Sequence, residues 1–234
     1  MPPPQTRLRE HKQCQTCYKD DNPPKFMLKS CQKCSRAHYC NRECQAADWS
    51  SHKRICKLQA ECGERIKASS AQAALDTTGA TIDPKIVANK LKQWVRVYRP
   101  VLDRALINAL TLHITPDRCM DEMLYITLKE TSHEDITRYF TIESTSFCPF
   151  AEAKVEYVRT FGPGQDELLA VLLDRSRKIR ANGGIGVAVA MLYIKEAGIL
   201  HLNPTVVQDL APGAPRDSQW SASLKRIVAA GKIV

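Results

Sequence analysis

Eight potential metal ligands fall within residues 14–56: Cys14, Cys17, Cys31, Cys34, Cys40, Cys44, His52 and Cys56. The gaps between them are two, thirteen, two, five, three, seven and three residues. Structural zinc is held by four protein N or S ligands in a closed tetrahedron, so eight ligands predict two closed sites. Such sites keep no open position for a substrate water. The spacing suits the geometry as well. A Cys-x-x-Cys turn brings two sulfurs to one metal, and the i,i+4 pairs Cys40/Cys44 and His52/Cys56 share a face where the backbone is helical.

Two other uses of cysteine fit less well. Disulfides require an oxidising compartment, and Met1 to Gln5 carries no apolar segment of a secretory signal. Thiols that merely fill a core do not fall into four organised pairs. An intracellular protein is therefore expected, with nucleus and cytoplasm not distinguished.

The stretch resembles the MYND-type zinc finger in its two Cys-x-x-Cys pairs, Tyr39-Cys40-x3-Cys44-Gln45, Trp49 and His52-Lys53-x2-Cys56. The ligand order separates it from RING and PHD fingers, which place the histidine earlier. The resemblance implies a cross-braced pairing. Cys14, Cys17, Cys40 and Cys44 would hold the first zinc, and Cys31, Cys34, His52 and Cys56 the second. It also implies a docking surface for proline-rich peptides of Pro-x-Leu-x-Pro character, at positions matched by Gln45, Trp49 and Gln32. The thirteen-residue gap after Cys17 is at the long end for the family. A structural role for Trp49, as a lid on the small zinc core, is the competing reading.

Charge points less strongly to nucleic acid than the formal +9 suggests. Residues 1–67 hold 14 Lys/Arg against 7 Asp/Glu. Seven ligand thiolates and two Zn²⁺ bring that excess down to about +4. Much of the basic surplus thus offsets the metal site, and the sequence argues against a nucleic-acid partner. The longest apolar run, near Ile185–Ile194, is too short to span a bilayer, and no membrane partner is expected.

The organisation expected is a flexible leader (1–13), a finger (14–65), a linker or frayed helix end (66–82) and an α+β domain (83–234). Pro2 to Pro4 favour a mobile leader, and His38 reads as a surface residue outside the ligand set. Asp83-Pro84 reads as a helix start. Val87, Leu91, Trp94, Val95 and Tyr98 then recur on one helical face until Pro100, which is expected to break or kink the helix before a second, from Leu102 to Leu110. Strands are expected from Met123 to Leu128, Thr137 to Glu143 and Lys154 to Thr160. A helix opened by Asp166 and stopped by Asn182-Gly183-Gly184 follows, then the buried strand Val187–Ile194, a return strand Ile199–Leu202 and a closing helix after Ser218.

No catalytic constellation stands out. Gly183-Gly184-Ile185-Gly186 follows a helix and precedes a strand, the reverse of a phosphate loop. His133-Glu134-Asp135 lacks the second histidine of a catalytic zinc motif, and no recognised motif pairs Cys119 or Cys148 with a histidine. Some relatives join this finger to a SET lysine methyltransferase domain, but the Asn-His-Ser/Cys-x-x-Pro element of that domain is absent from this sequence. The expectation is a zinc-dependent protein-interaction module, a transcriptional or regulatory adaptor, and not an enzyme. Enzyme activity in residues 83–234 and nucleic-acid binding are the alternatives.

Overall fold

The computed structural model describes residues 11–75, 83–131, 133–164, 166–210 and 216–233. Most of the leader (1–10) and the later part of the linker (76–82) lie outside the described residues. The finger contributes a short antiparallel pair, β1 (Lys29–Ser30) and β2 (His38–Tyr39), and then enters α1 (Arg42–Leu75). That helix runs on through residues 66–75, the part of the chain that reads as a linker or frayed helix end. Ala68, Ala71, Ala73 and Ala74 are small but are also the strongest helix formers, which is why low bulk here does not mean coil.

The remainder comprises α2 (Pro84–Ala109), α3 (Arg118–Asp121), β3 (Glu122–Glu130), β4 (Phe140–Pro149), α4 (Phe150–Phe161), α5 (Glu167–Ala181), β5 (Gly186–Ile194), β6 (Ile199–Val207) and α6 (Trp220–Ala229). The four long strands form one sheet in the order β4-β3-β5-β6, parallel only between β3 and β5. Both faces are covered. Leu124, Ile126, Leu128, Ala190 and Leu192 point to α2 and α6, while Met123, Val187, Val189 and Met191 point to α4 and α5. Alternation along each strand feeds both cores, and the continuous apolar run of β5 reflects burial on both sides. The expected α+β class holds.

Four local expectations are corrected. Lys154–Thr160 is not a strand but part of α4. Its alternation is incidental, because Phe150, Ala153 and Tyr157 are buried at helical spacing while Val155 is 69% exposed. The strand expected from Thr137 begins later and runs longer. Ile136–Arg138 forms a 3-10 turn, and β4 follows. The return strand does not stop at Leu202. It continues through Pro204 to Val207, which an edge strand tolerates because one of its sides carries no ladder.

The fourth correction concerns Pro100. It lies inside α2 without ending it. Proline cannot donate to the carbonyl four residues back, so the Arg96 carbonyl loses its helical partner. The His11 amide donates to that carbonyl at 2.9 Å instead. A defect in the domain's main helix thus becomes an attachment point for the start of the finger. Pro100→Ala restores a competing helical donor. It is expected to stabilise the chain by about 2 kcal/mol, offset in part by a freer unfolded state, and to speed hydrogen exchange at the His11 amide. Unchanged His11 exchange would contradict the attachment.

Candidate metal centre

The two Cys-x-x-Cys segments fold alike. In the first, the Tyr18 amide donates to the Cys14 carbonyl, and in the second the Ser35 amide donates to the Cys31 carbonyl, at 3.1 and 2.8 Å. Tyr18 and Ser35, each four residues after the leading cysteine, both take left-handed φ values of 59° and 56°. Side chains with a Cβ adopt this conformation at a cost, and the tight turn it allows aims both sulfurs inward. The remaining ligands come from β2 and α1. Cys40 follows β2, and Cys44 lies in the first turn of α1, where its amide donates to the Asn41 side chain at 2.8 Å. His52 and Cys56 stand one helical turn apart further along the same helix.

These placements gather the eight ligands into two clusters. Cys14, Cys17, Cys40 and Cys44 form one, and Cys31, Cys34, His52 and Cys56 the other, with all ligand atoms in each within 4.8 Å of one another. A tetrahedron with Zn–S bonds near 2.3 Å has edges of about 3.8 Å. The Cys31–Cys56 sulfur separation is 3.7 Å, as is that from Cys34 sulfur to His52 Nε2, while Cys17 and Cys40 sulfurs are 3.3 Å apart. The donor sets are four thiols in one cluster, and three thiols with an imidazole in the other. Their chemistry and dimensions are those of two structural zinc ions. The second cluster is buried throughout. In the first, only Cys14 is fully buried and Cys17 is exposed.

Electrostatics inside each cluster favour a dication. For Cys14, burial pushes the thiol up, but the amides of Cys17, Thr16 and Cys40 outweigh it and bring the pKa down to about 6. Cys34 also falls to about 6, with burial opposed by the His52 hydrogen bond and the Ala37 and Arg36 amides. Their neighbours move the other way. Burial and the adjoining thiols push Cys40 and Cys56 up to about 12. Sulfurs crowded this closely cannot all ionise against one another, and two positive charges at their centre remove the conflict.

Outer contacts hold the ligand frame. Tyr39 is buried, donates to Asp48 at 2.7 Å and sets its ring edge-on to His52 at 5.9 Å. The buried Asp21 carboxylate accepts from the Leu28 amide at 2.8 Å, and Thr16 donates to the Cys44 carbonyl at 2.6 Å. Such partners fix ligand orientation. His38, expected at the surface, is half-buried. Burial first, and then the charges of Arg96 and Lys12, bring its pKa down to about 4.

The finger is seated on the domain. Arg175 of α5 donates to the Gln15 side chain and carbonyl at 2.9 and 2.6 Å and lies over the Tyr18 ring at 5.4 Å. Arg54 pairs with Glu167 at 2.9 Å. Arg175 reads in sequence as one of several cations balancing the dipole of α5, and nothing local marks it as a finger contact.

The residues expected at the docking surface come from two elements. Gln45 and Trp49 lie on one face of α1, four residues apart, with Gln45 half-buried and Trp49 43% exposed. The Trp49 ring is 6.1 Å from that of His52, and Trp49 does not belong to the finger's buried cluster. Gln32 is exposed on the second Cys-x-x-Cys turn.

Comparison with known proteins reaches the same segment. Residues 13–56 match the family described as MYND finger. N-lysine methyltransferase SMYD2-A of Danio rerio is 41% identical over 51 residues, a match covering 22% of this chain and 11% of that protein. This chain thus spans about a tenth of that relative's length. No solved structure matches the chain. Ligand order, cluster geometry and family match agree: residues 13–56 are a MYND finger, a zinc-bound module of the kind that mediates protein–protein interaction.

Proposed function

We propose that the finger docks a proline-rich segment of a partner protein, with Trp49 as its anchor. The observation that carries this reading is the exposure of Trp49, a large aromatic on a zinc-braced helix that leaves 43% of its surface in solvent. A tryptophan whose work was to cover the zinc core would be expected among the buried residues. A preformed polyproline helix loses little entropy on binding and packs against aromatic planes, and the Gln45 amide one turn away supplies a hydrogen-bond partner for its carbonyls. Gln32 would extend the contact. Among the described residues no helix is long and apolar enough to cross a membrane, and the reading involves none. It requires a compartment that keeps the ligand thiols reduced.

In this reading the chain acts by binding and not by catalysis. The methyltransferase name belongs to a relative whose likeness ends with the finger, so it lends the remaining domain no activity. Trp49→Ala is expected to weaken a Pro-x-Leu-x-Pro peptide about thirtyfold, the loss of one interface anchor, while zinc content stays at two. Calorimetric titration with parallel metal analysis checks both. Loss of zinc together with binding would make Trp49 structural, and no binding by the intact chain at millimolar peptide would end the docking role.

A further inference from the structure

A cleft of about 470 Å³ opens where the finger meets the domain. Its volume is in the range of small-molecule sites. Seven Lys or Arg residues line it against two aspartates, and both aspartates are engaged: Asp48 accepts from Tyr39 and Asp174 pairs with Lys178. Neither Gln45 nor Trp49 is in its lining.

The cleft follows a polar seam between α2 and β6. Lys92, Arg96, Arg99 and Asp103 recur at helical spacing on α2, and His201, Asn203 and Thr205 alternate along β6. One end of the seam is neutralised within itself. Asp103 accepts from Thr205 at 2.6 Å and pairs with Arg99 at 3.6 Å. The other end is not. Among the described residues neither Lys92 of α2 nor Arg36 of the finger has a carboxylate partner. Burial and then the charges of Arg36 and Arg96 hold the Lys92 pKa below the usual ammonium range. His201, lining the same cleft, falls to about 3 through burial and then Arg36, Lys92 and Arg96, so it stays uncharged.

A second, independent feature lies in the same cleft. Asn203 is 4% exposed, and its side-chain Nδ2 has no acceptor among the described residues. Buried amide donors are ordinarily paired, so an unpaired one lining a cleft is a place for an acceptor. Cations without a carboxylate partner and a donor without an acceptor make the same demand.

From the cation-rich corner and the unpaired Asn203 amide, we infer that the cleft binds a small molecule carrying a phosphate monoester, held by Arg36, Lys92 and Asn203. A phosphoryl dianion offers several acceptor oxygens and two charges. Its oxygens and charges match the Arg36 fork, the Lys92 ammonium and the Asn203 amide, which line the one cleft. A single carboxylate, with one charge, leaves a cation unmatched. The remaining volume accommodates the organic part. The site uses one wall from the finger and one from the domain, so its ligand would also tie the two together. It does not depend on the peptide-docking role of Trp49.

The test uses the zinc-loaded full chain with inorganic phosphate as probe, against chloride at matched ionic strength, read by calorimetry and thermal unfolding. Phosphate is expected to bind with a Kd below about 1 mM and to raise Tm, as a ligand specific to the folded state must. Lys92→Met is expected to weaken phosphate about tenfold or more. It should also raise Tm of the anion-free protein, because it removes one of several crowded like charges. A lysine needed only for folding would lower it. Arg36→Gln should repeat the loss of binding, and Trp49→Ala should leave phosphate binding intact. Phosphate binding no better than chloride, or unchanged in Lys92→Met, would overturn the site. A single-stranded oligonucleotide binding more tightly than phosphate with the same Lys92 dependence would overturn the small-molecule class.

Discussion

Cys34→Ser is expected to leave the intact chain with at most one zinc and to unfold the finger. Cys34 is buried in the second cluster, 3.7 Å from His52 Nε2, and a serine oxygen neither ionises nor binds zinc comparably. Structural zinc contributes roughly 10–16 kcal/mol in small fingers, more than a module of this size gains from its own core. Beyond the ligand cysteines the finger's buried cluster adds Leu28, Ala37 and Tyr39, with Phe26 packed against it, a core too small to replace the metal. The contacts from Arg175 to Gln15 and from His11 to Arg96 should be lost with it. The domain core around Trp94, Leu124 and Ala190 contains no zinc ligand and should still unfold cooperatively, at a lower Tm. Metal analysis with amide exchange checks both halves. Two zinc ions retained in Cys34→Ser would contradict the ligand assignment.

The second large effect is expected at Trp94. Its side chain is 0% exposed, 4.8 Å from the Tyr98 ring and 6.1 Å from that of Phe140, and Tyr98 is itself anchored by donating to the Thr137 carbonyl at 2.9 Å. These contacts join α2 to the start of β4. Trp94→Ala leaves a large cavity among rings that cannot close over it, and should cost about 3–5 kcal/mol. That is a large share of the roughly 5–15 kcal/mol typical of a whole domain. Trp94→Phe should cost much less. It keeps a ring in place and removes an indole N–H that has no acceptor among the described residues. Urea unfolding of both variants gives the comparison, and a loss under about 1 kcal/mol for Trp94→Ala would contradict the packing described.

Legibility in the sequence follows the range of the forces involved. The zinc ligands are readable because coordination demands particular side chains at particular separations, whatever the rest of the chain does. The buried face of α2 is readable for a similar reason: Val87, Leu91, Trp94 and Tyr98 repeat with the helix. The strand expected at Lys154–Thr160 fails because its residues alternate locally, while the face buried is decided by what α4 packs against. Pro100 misleads because the rescue of the Arg96 carbonyl comes from His11, distant in sequence and close in space. The seating of the finger, and with it the cleft between Arg36, Lys92 and Asn203, rests wholly on such long-range placement. Arg175 is indistinguishable by sequence from its neighbours Arg177 and Lys178, and only the fold brings it to Gln15.

Native mass spectrometry of the intact chain, coupled to hydrogen exchange, tests the central claim most directly. Protein made with zinc should carry two ions. A strong chelator should remove both and collapse amide protection across residues 14–56 while β5, buried on both faces, stays slow to exchange. One zinc or none in the untreated protein, or a finger still protected after both are removed, would contradict the account.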